Sequence, residues 1–427
     1  MNFVAKYNDV ATTMAARPSA SVRFLRRLLF AQLAGLQHGR LVFQDALGKI
    51  ELGVAATENP DLVVHVDVLD LAFYRTVVSN GSVGAGEAYT EGLWRCDNLV
   101  GLIQLLVRNR AQLDGMETGV ARLGGLAMRA WSALRRNTRS GSRRNIAKHY
   151  DLGNEFFELF LSADLMYSSA LWEGPNDSLE AASTRKLDII CRKLDLKPTD
   201  HVIEIGTGWG GFALYAAKHF GCRVTTTTIS RNQHALANER IASAGLSARV
   251  TLLLDDYRDL RGQYDKLVSI EMIEAIGAPY LDVYFRQVDR LLNSDGLALI
   301  QAITIEDARY RQALQSVDFI KRHVFPGSFI PSIGALLEAK TRTSDLALIQ
   351  LEDFGGSYAR TLEVWRERFM ARLPEVRAQG FDEHFVRLWQ FYLAYCEGGF
   401  RERSIGVAQM LLAKPGYRPA ETGRQNR

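Results

Sequence analysis

Between residues 201 and 305 there are five apolar runs of strand length, HVIEIG, RVTTTTIS, VTLLLDD, DKLVSIE and LALIQAITI, with helical segments between four of them. Strands and helices alternating at this spacing predict a parallel sheet covered on both faces. The earlier part of the chain has a different texture. SVRFLRRLLFAQLAG at 21–35 places apolar residues at helical spacing, and the runs LVFQDA, KIELGVA and LVVHVDV read as strands. Helical stretches follow at LAFYRTVVSN and NLVGLIQLLVRNRAQL. This predicts a small α+β unit over residues 1–117 and an α/β unit over 145–427. Between them, 118–144 contains RLGGLAMRAWSALRRNTRSGSRR, whose glycines, serines and arginines suit an exposed connection.

The chain of 427 residues exceeds the usual size of one core, and 47% hydrophobic with 23% charged residues describes an ordinary globular protein. The net charge of +4 is small but unevenly placed: from Thr118 to Tyr150 there are seven arginines, one lysine and no acid. Such a stretch suits phosphate-bearing partners, lipid headgroups or nucleic acid, and equally a solvated linker. The arginine-rich helix at 21–35 either lies on an anionic membrane surface or packs on its own unit. No apolar run reaches the ~18 residues of a membrane span. The start, MNFVAKYNDVATTMAARPSA, does not read as a signal peptide. Cys96, Cys191, Cys222 and Cys396 form no CxxC pair, so neither a zinc site nor a disulfide framework is expected, and the cytosol is the expected compartment.

The chemistry starts at VIEIGTGWGG. Glu204, Gly206, Gly208 and Gly210 stand where a strand turns into a helix, and glycines there allow a ligand close to the backbone. The spacing E-x-G-x-G-x-G departs from the dinucleotide fingerprint. The second strand ends in Thr228-Ile229-Ser230, where a dinucleotide enzyme would place an acid for ribose. Asp255-Asp256-Tyr257 closes the third strand with an acid and a ring suited to adenine. Together these favour S-adenosyl-L-methionine over NAD.

Residues 145–427 resemble the cyclopropane fatty-acyl-phospholipid synthase family, which includes the mycolic acid cyclopropane synthases. The stretches that carry the resemblance are NIAKHYDLGNEFFELFL, LMYSSALWEG, VIEIGTGWGG, TTTTISRNQ, DKLVSIEMIEAIG, VDFIKRHVFPG and YCEGGFRERSIG; residues 64–105, with GEAYTEGLW, resemble its N-terminal domain. The resemblance implies a Rossmann-like class I methyltransferase fold. It implies a methyl donor held by Tyr167, Ser168, Gly206, Gly208, Thr228, Ser230, Gln233, Asp256 and Tyr257, alongside Glu204 and Gly210 of the turn. The expected activity is methyl transfer to the cis double bond of unsaturated phospholipid acyl chains, closing a cyclopropane. A cationic intermediate suits aromatic neighbours, with Tyr150, Phe156, Tyr167, Trp172 and Tyr358 as candidates.

Ring closure removes a proton from the added methyl, and the resemblance implies a bound bicarbonate for that step. It would be held by Glu274, Tyr358, the Ile303 backbone, Ser169 and Gln301, with the Glu274 pKa raised. Ser169 stands where the family has cysteine and Gln301 where it has histidine; Gln301 cannot titrate. If a neighbouring chain carbon loses the proton instead, the product is a methyl-branched or methylene chain. A catalytically inactive lipid- or donor-binding protein, and small-molecule N-methylation, are further readings. VDFIKRHVFPGSFIPSIGALLEA would form part of a lid over the acyl channel, or an amphipathic core helix followed by a loop. Phospholipid substrates imply association with the inner face of the membrane; the resemblance also suggests a homodimer, and no nucleic-acid partner or metal is expected.

Overall fold

A computed structural model describes residues 19–54, 62–114 and 152–419. The first helix, Ala20–Leu33, starts where the Ser19 side chain accepts from the Val22 N–H, and it buries Leu29, Phe30 and Leu33. These lie on a four-stranded sheet of β1 (Gly39–Asp45), β2 (Gly48–Val54), β3 (Val63–Val68) and β4 (Trp94–Cys96), in the order β2-β1-β3-β4. Helix Ala72–Thr90 kinks at Gly81, whose φ of 57° and ψ of −134° leave the helical region. Helix Leu99–Arg108 is capped by Asn98, which accepts from the Gly101 N–H at 2.7 Å.

The α/β unit is built on a seven-stranded sheet. Its strands are β5 (His201–Ile205), β6 (Arg223–Thr227), β7 (Val250–Leu253), β8 (Tyr264–Ile270), β9 (Leu292–Ile305), β10 (Ala347–Asp353) and β11 (Ile405–Ala413). The order is β10-β11-β9-β8-β5-β6-β7, with β5 to β9 parallel and β11 and β10 antiparallel at one edge. Alternate residues of β5 face opposite cores. Val202 joins Ile190, Phe212 and Ile241 on one side, and Ile203 joins Tyr284, Phe285 and Leu336 on the other. Burial on both faces is why these strands read as apolar runs. From β5 the chain runs outward to β6 and β7, then returns to place β8 on the other side of β5. That reversal opens a crevice at the carboxyl ends of β5 and β8, where ligands bind in such sheets.

The two units share one hydrophobic core, in which Leu29, Phe43, Phe73 and Trp94 join Phe156, Phe160, Trp389 and Phe391. Helix Glu383–Arg401 carries much of the contact: Arg387 donates to the backbone oxygens of Tyr89 and Trp94, and Tyr89 to Gln390. The expected linker 118–144, its basic stretch and Tyr150 lie outside the described residues. All eight expected strands formed. Three further strands, β4, β10 and β11, had no counterpart in the sequence reading. The segment for which a lid or a core helix was expected forms a π-helical turn at Ile320–Val324 and, after a loop, the helix Ile333–Thr343.

Candidate active site

β5 ends at Ile205, and the turn that follows runs through Gly206, Gly208 and Gly210 with φ of 103°, 52° and 89°. These left-handed values are open to glycine and strained for other residues. A Cβ on Gly206 would also stand 3.1 Å from the Met272 side chain. The Gly206 and Thr207 N–H groups anchor the turn on the Thr227 carbonyl oxygen. Thr228 donates to Gln233 at 2.9 Å, and the Ser230 hydroxyl caps helix Arg231–Ser243 by accepting from the Gln233 N–H. Asp256 caps the turn at Tyr257–Asp259 and is held by Arg258 at 2.6 Å, while the Tyr257 hydroxyl is buried with no protein partner.

Tyr167, Ser168, Gly206, Gly208, Thr228, Gln233, Asp256 and Tyr257 all line one cavity of about 720 Å³, within the usual range for ligand sites. The other three expected donor residues stand behind its wall. Gly210 and Ser230 start helices, and the fully buried Glu204 carboxyl accepts from Thr226 at 2.6 Å. Burial pushes the Glu204 pKa up to about 8. These three shape the turn from behind.

At the end of β8, the SIEMIEAIG stretch brings two carboxyls to the same cavity. Glu274 accepts from the Ile303 N–H at 2.6 Å, and its other oxygen is buried without a protein partner. Burial and the neighbouring Glu271 raise its pKa to about 8, the direction expected from the sequence. Glu271 is the residue the sequence reading missed. It accepts from the Ser169 N–H at 2.9 Å, from Gln301 Nε2 at 2.7 Å and from the Tyr358 hydroxyl at 2.8 Å. Burial raises its pKa, while the Lys186 charge and these three donors oppose the rise. Ser169 and Gln301 are fully buried, and the Ser169 hydroxyl is turned away onto the Ala170 carbonyl. The signal for Glu271 was a second acid three residues before Glu274, on a segment already expected to reach the site.

Beyond the carboxyls the cavity is ringed by Tyr167, Phe325, Tyr358, Tyr392 and Phe400. Tyr358 and Phe400 lie 4.4 Å apart between ring centroids, and Tyr167 shares a hydroxyl hydrogen bond with Tyr392. Of the other aromatic candidates, Phe156 is fully buried among Phe157, Phe381, Phe385 and Trp389, a core position. Trp172 donates to Thr361 outside the cavity lining. The cavity then continues between apolar residues of the N-terminal unit, among them Leu33, Phe43, Val66, Phe73 and Leu102.

Comparison with known proteins gives the chain's family. The family model for mycolic acid cyclopropane synthetase matches residues 137–410. Tuberculostearic acid methyltransferase of Mycobacterium tuberculosis is 35% identical over 385 residues, covering 88% of each chain. The cyclopropane-fatty-acyl-phospholipid synthase of Escherichia coli K12 is 36% identical over 358 residues, 83% of this chain and 89% of that one. The chain belongs to the mycolic acid cyclopropane synthetase family. Among solved structures, the M. tuberculosis cyclopropane synthase MmaA2 superposes with a TM-score of 0.60 at 28% identity, over 64% of this chain and 98% of that one. Mycolic acid cyclopropane synthase CmaA1, complexed with S-adenosylhomocysteine, gives 0.59 at 28% identity over the same shares. The α/β unit is therefore a class I S-adenosylmethionine-dependent methyltransferase domain.

Proposed function

We propose that this protein methylates the cis double bond of unsaturated phospholipid acyl chains and closes the added carbon into a cyclopropane. The observation that carries the reading is the continuity of one cavity. It runs from the glycine turn, past two carboxyls and a ring of aromatic side chains, into an apolar channel of the N-terminal unit. A small polar acceptor would need the turn and not the channel.

The residues present fit S-adenosylmethionine. Open space stands where Gly208 would carry a Cβ, and Tyr257, a residue of the cavity lining, has a buried hydroxyl with no protein partner. Gly206, Gly208, Thr228, Gln233, Asp256 and Tyr257 would hold its adenosyl and amino-acid parts. When bound, it supplies an electrophilic methyl carbon. The protein's part is to hold the alkene against that carbon in a cavity without water, and to face the resulting cation with aromatic rings. Tyr358, Tyr167 and Phe400, which line the cavity, would do so.

The bicarbonate implied by the family resemblance fits less well. Ser169 N–H, Gln301 Nε2 and the Tyr358 hydroxyl already donate to Glu271, and the Ile303 N–H to Glu274. A second anion there would have to take the three donors from Glu271, whose ionised carboxylate would repel it.

Acyl chains of phospholipids are reached from a bilayer surface. The exposed Phe24 and Leu28, beside Arg23 and Arg27 on the first helix, are the surface we assign to that contact. Unsaturated phospholipid vesicles incubated with labelled donor, followed by mass spectrometry of the fatty esters, test the reading. Gain of one CH₂ with loss of the double bond is expected. A methylated chain that retains a double bond would favour the methyl-branched or methylene outcome, which suits a relative named as a methyltransferase. No lipid product would overturn both.

A further inference from the structure

The donors that were expected to hold a bicarbonate converge on a side chain of the protein itself. We infer that Glu271 is the resident base of the ring-closing step and takes the place of a bound bicarbonate. The inference rests on the proposed acyl-chain methylation.

Three independent features point to Glu271. Glu271 lines the cavity, and its carboxylate holds three protein donors at 2.7–2.9 Å, so both oxygens are fixed in position. Its backbone has φ of 49°, a left-handed conformation unusual for a side chain of this size, and is pinned there by its N–H donating to the Gln301 carbonyl at 2.8 Å. Strain of this kind is kept where the surroundings impose it, commonly at working sites.

The third feature is a hydrogen-bond chain running across the sheet. Lys193 donates to Gln409 Oε1 at 2.7 Å, Gln409 Nε2 donates to Gln301 Oε1 at 3.0 Å, and Gln301 Nε2 donates to Glu271. A lysine ammonium only donates and an ionised carboxylate only accepts, so both amides are locked in one orientation. The chain therefore presents an N–H, and never a carbonyl oxygen, to Glu271, and so favours its ionised form. Lys186, fully buried and bonded to Ser168 at 2.6 Å, has its pKa lowered to about 8 by burial, and its charge opposes the rise in the Glu271 pKa. Glu274, with its pKa raised to about 8, is the neutral member of the pair at pH 7. Two carboxyls driven to different protonation states are a common mark of an acid–base site. Gln301, which cannot relay a proton, thus has a role that does not require one.

In the step, the Glu271 carboxylate removes a proton from the methyl carbon already joined to the acyl chain. The electron pair of that C–H bond forms the third ring bond to the neighbouring cationic carbon. Glu271 leaves the step as the neutral acid and returns its proton to water when the product departs.

The test uses the full-length protein, vesicles of a monounsaturated phosphatidylglycerol and buffer purged of carbon dioxide. Wild-type protein is expected to form cyclopropane at an unchanged rate in purged buffer. Glu271→Gln should lose roughly 100-fold or more, the usual contribution of a general base, while binding S-adenosylhomocysteine normally by calorimetry. Glu271→Gly suits the left-handed backbone and frees the three donors. It should gain a bound ¹³C-bicarbonate resonance and activity that depends on added bicarbonate. Wild-type activity that vanishes in purged buffer and returns with bicarbonate would overturn the role of Glu271 while leaving the lipid reading intact. Near-normal turnover by Glu271→Gln would do the same. A wild-type protein that methylates no lipid under either condition would remove the reading and this inference together.

Discussion

Burial raises the pKa of both Glu271 and Glu274, but their surroundings differ. Glu271 has three donors and a buried lysine nearby, whereas Glu274 has one backbone N–H and the charge of Glu271 against it. The groups facing Glu271 are Lys186 from helix Leu179–Lys193, Tyr358 from helix Gly355–Ala371, Gln301 from β9 and Glu274 from its own turn. If Glu271 acts as a base, the rate falls as pH drops through its raised pKa, because only the ionised form accepts a proton. Lys186→Met removes the cation that favours that form. The acid limb of the pH–rate profile should then move to higher pH, with S-adenosylhomocysteine affinity retained. An unmoved limb would dissociate Lys186 from the titration. Glu271 was hard to read from the sequence because an acid at a strand end has many bland roles. What marks it is the set of donors, which come from residues 169, 301 and 358.

Helices and strands were legible where burial follows a short period. The apolar runs of β5 to β9 and the alternation in β1 to β3 report their own environments. β4 has three residues, too few for any period to show. β11 is as apolar as its neighbours, with Val407 to Ala413 buried, but its place depends on pairing with β9 about a hundred residues earlier. Helix Glu383–Arg401 joins the two units through a close approach at Gly398, where a Cβ would lie 2.7 Å from Ile103 Cβ. Gly398→Ala should therefore force this helix from helix Leu99–Arg108, costing about 1–3 kcal/mol as overpacking does. A lower thermal midpoint by circular dichroism is the expected result, and an unchanged midpoint would show that the interface can yield without cost.

Taken together, the two units make one active cavity that neither could enclose alone: the catalytic sheet contributes the donor turn and carboxyls, and the N-terminal unit the apolar channel. Among the described residues no helix is long and apolar enough to cross a membrane. The proposed acyl-chain substrate calls for contact at a bilayer surface, for which Arg23 and Arg27 of the first helix are the proposed site. Each exposed arginine near an anionic surface adds about 1 kcal/mol of attraction, which salt screens. Sedimentation with anionic vesicles should weaken as salt rises, and Arg23→Glu with Arg27→Glu should weaken it at low salt. Binding indifferent to salt and to both substitutions would place the membrane contact elsewhere.

The order of strands and helices, the glycine turn and the family resemblance were all present in the amino-acid order, because each is written in contiguous residues whose periodicity or spacing reflects local backbone demands. The joining of glycine turn, carboxyl pair and apolar channel into one cavity was not, nor was the capture of the Ser169, Gln301 and Tyr358 hydrogen-bond donors by Glu271. Those depend on distances between residues far apart in the chain, and such distances exist only once the sheet has been ordered and the two cores have merged.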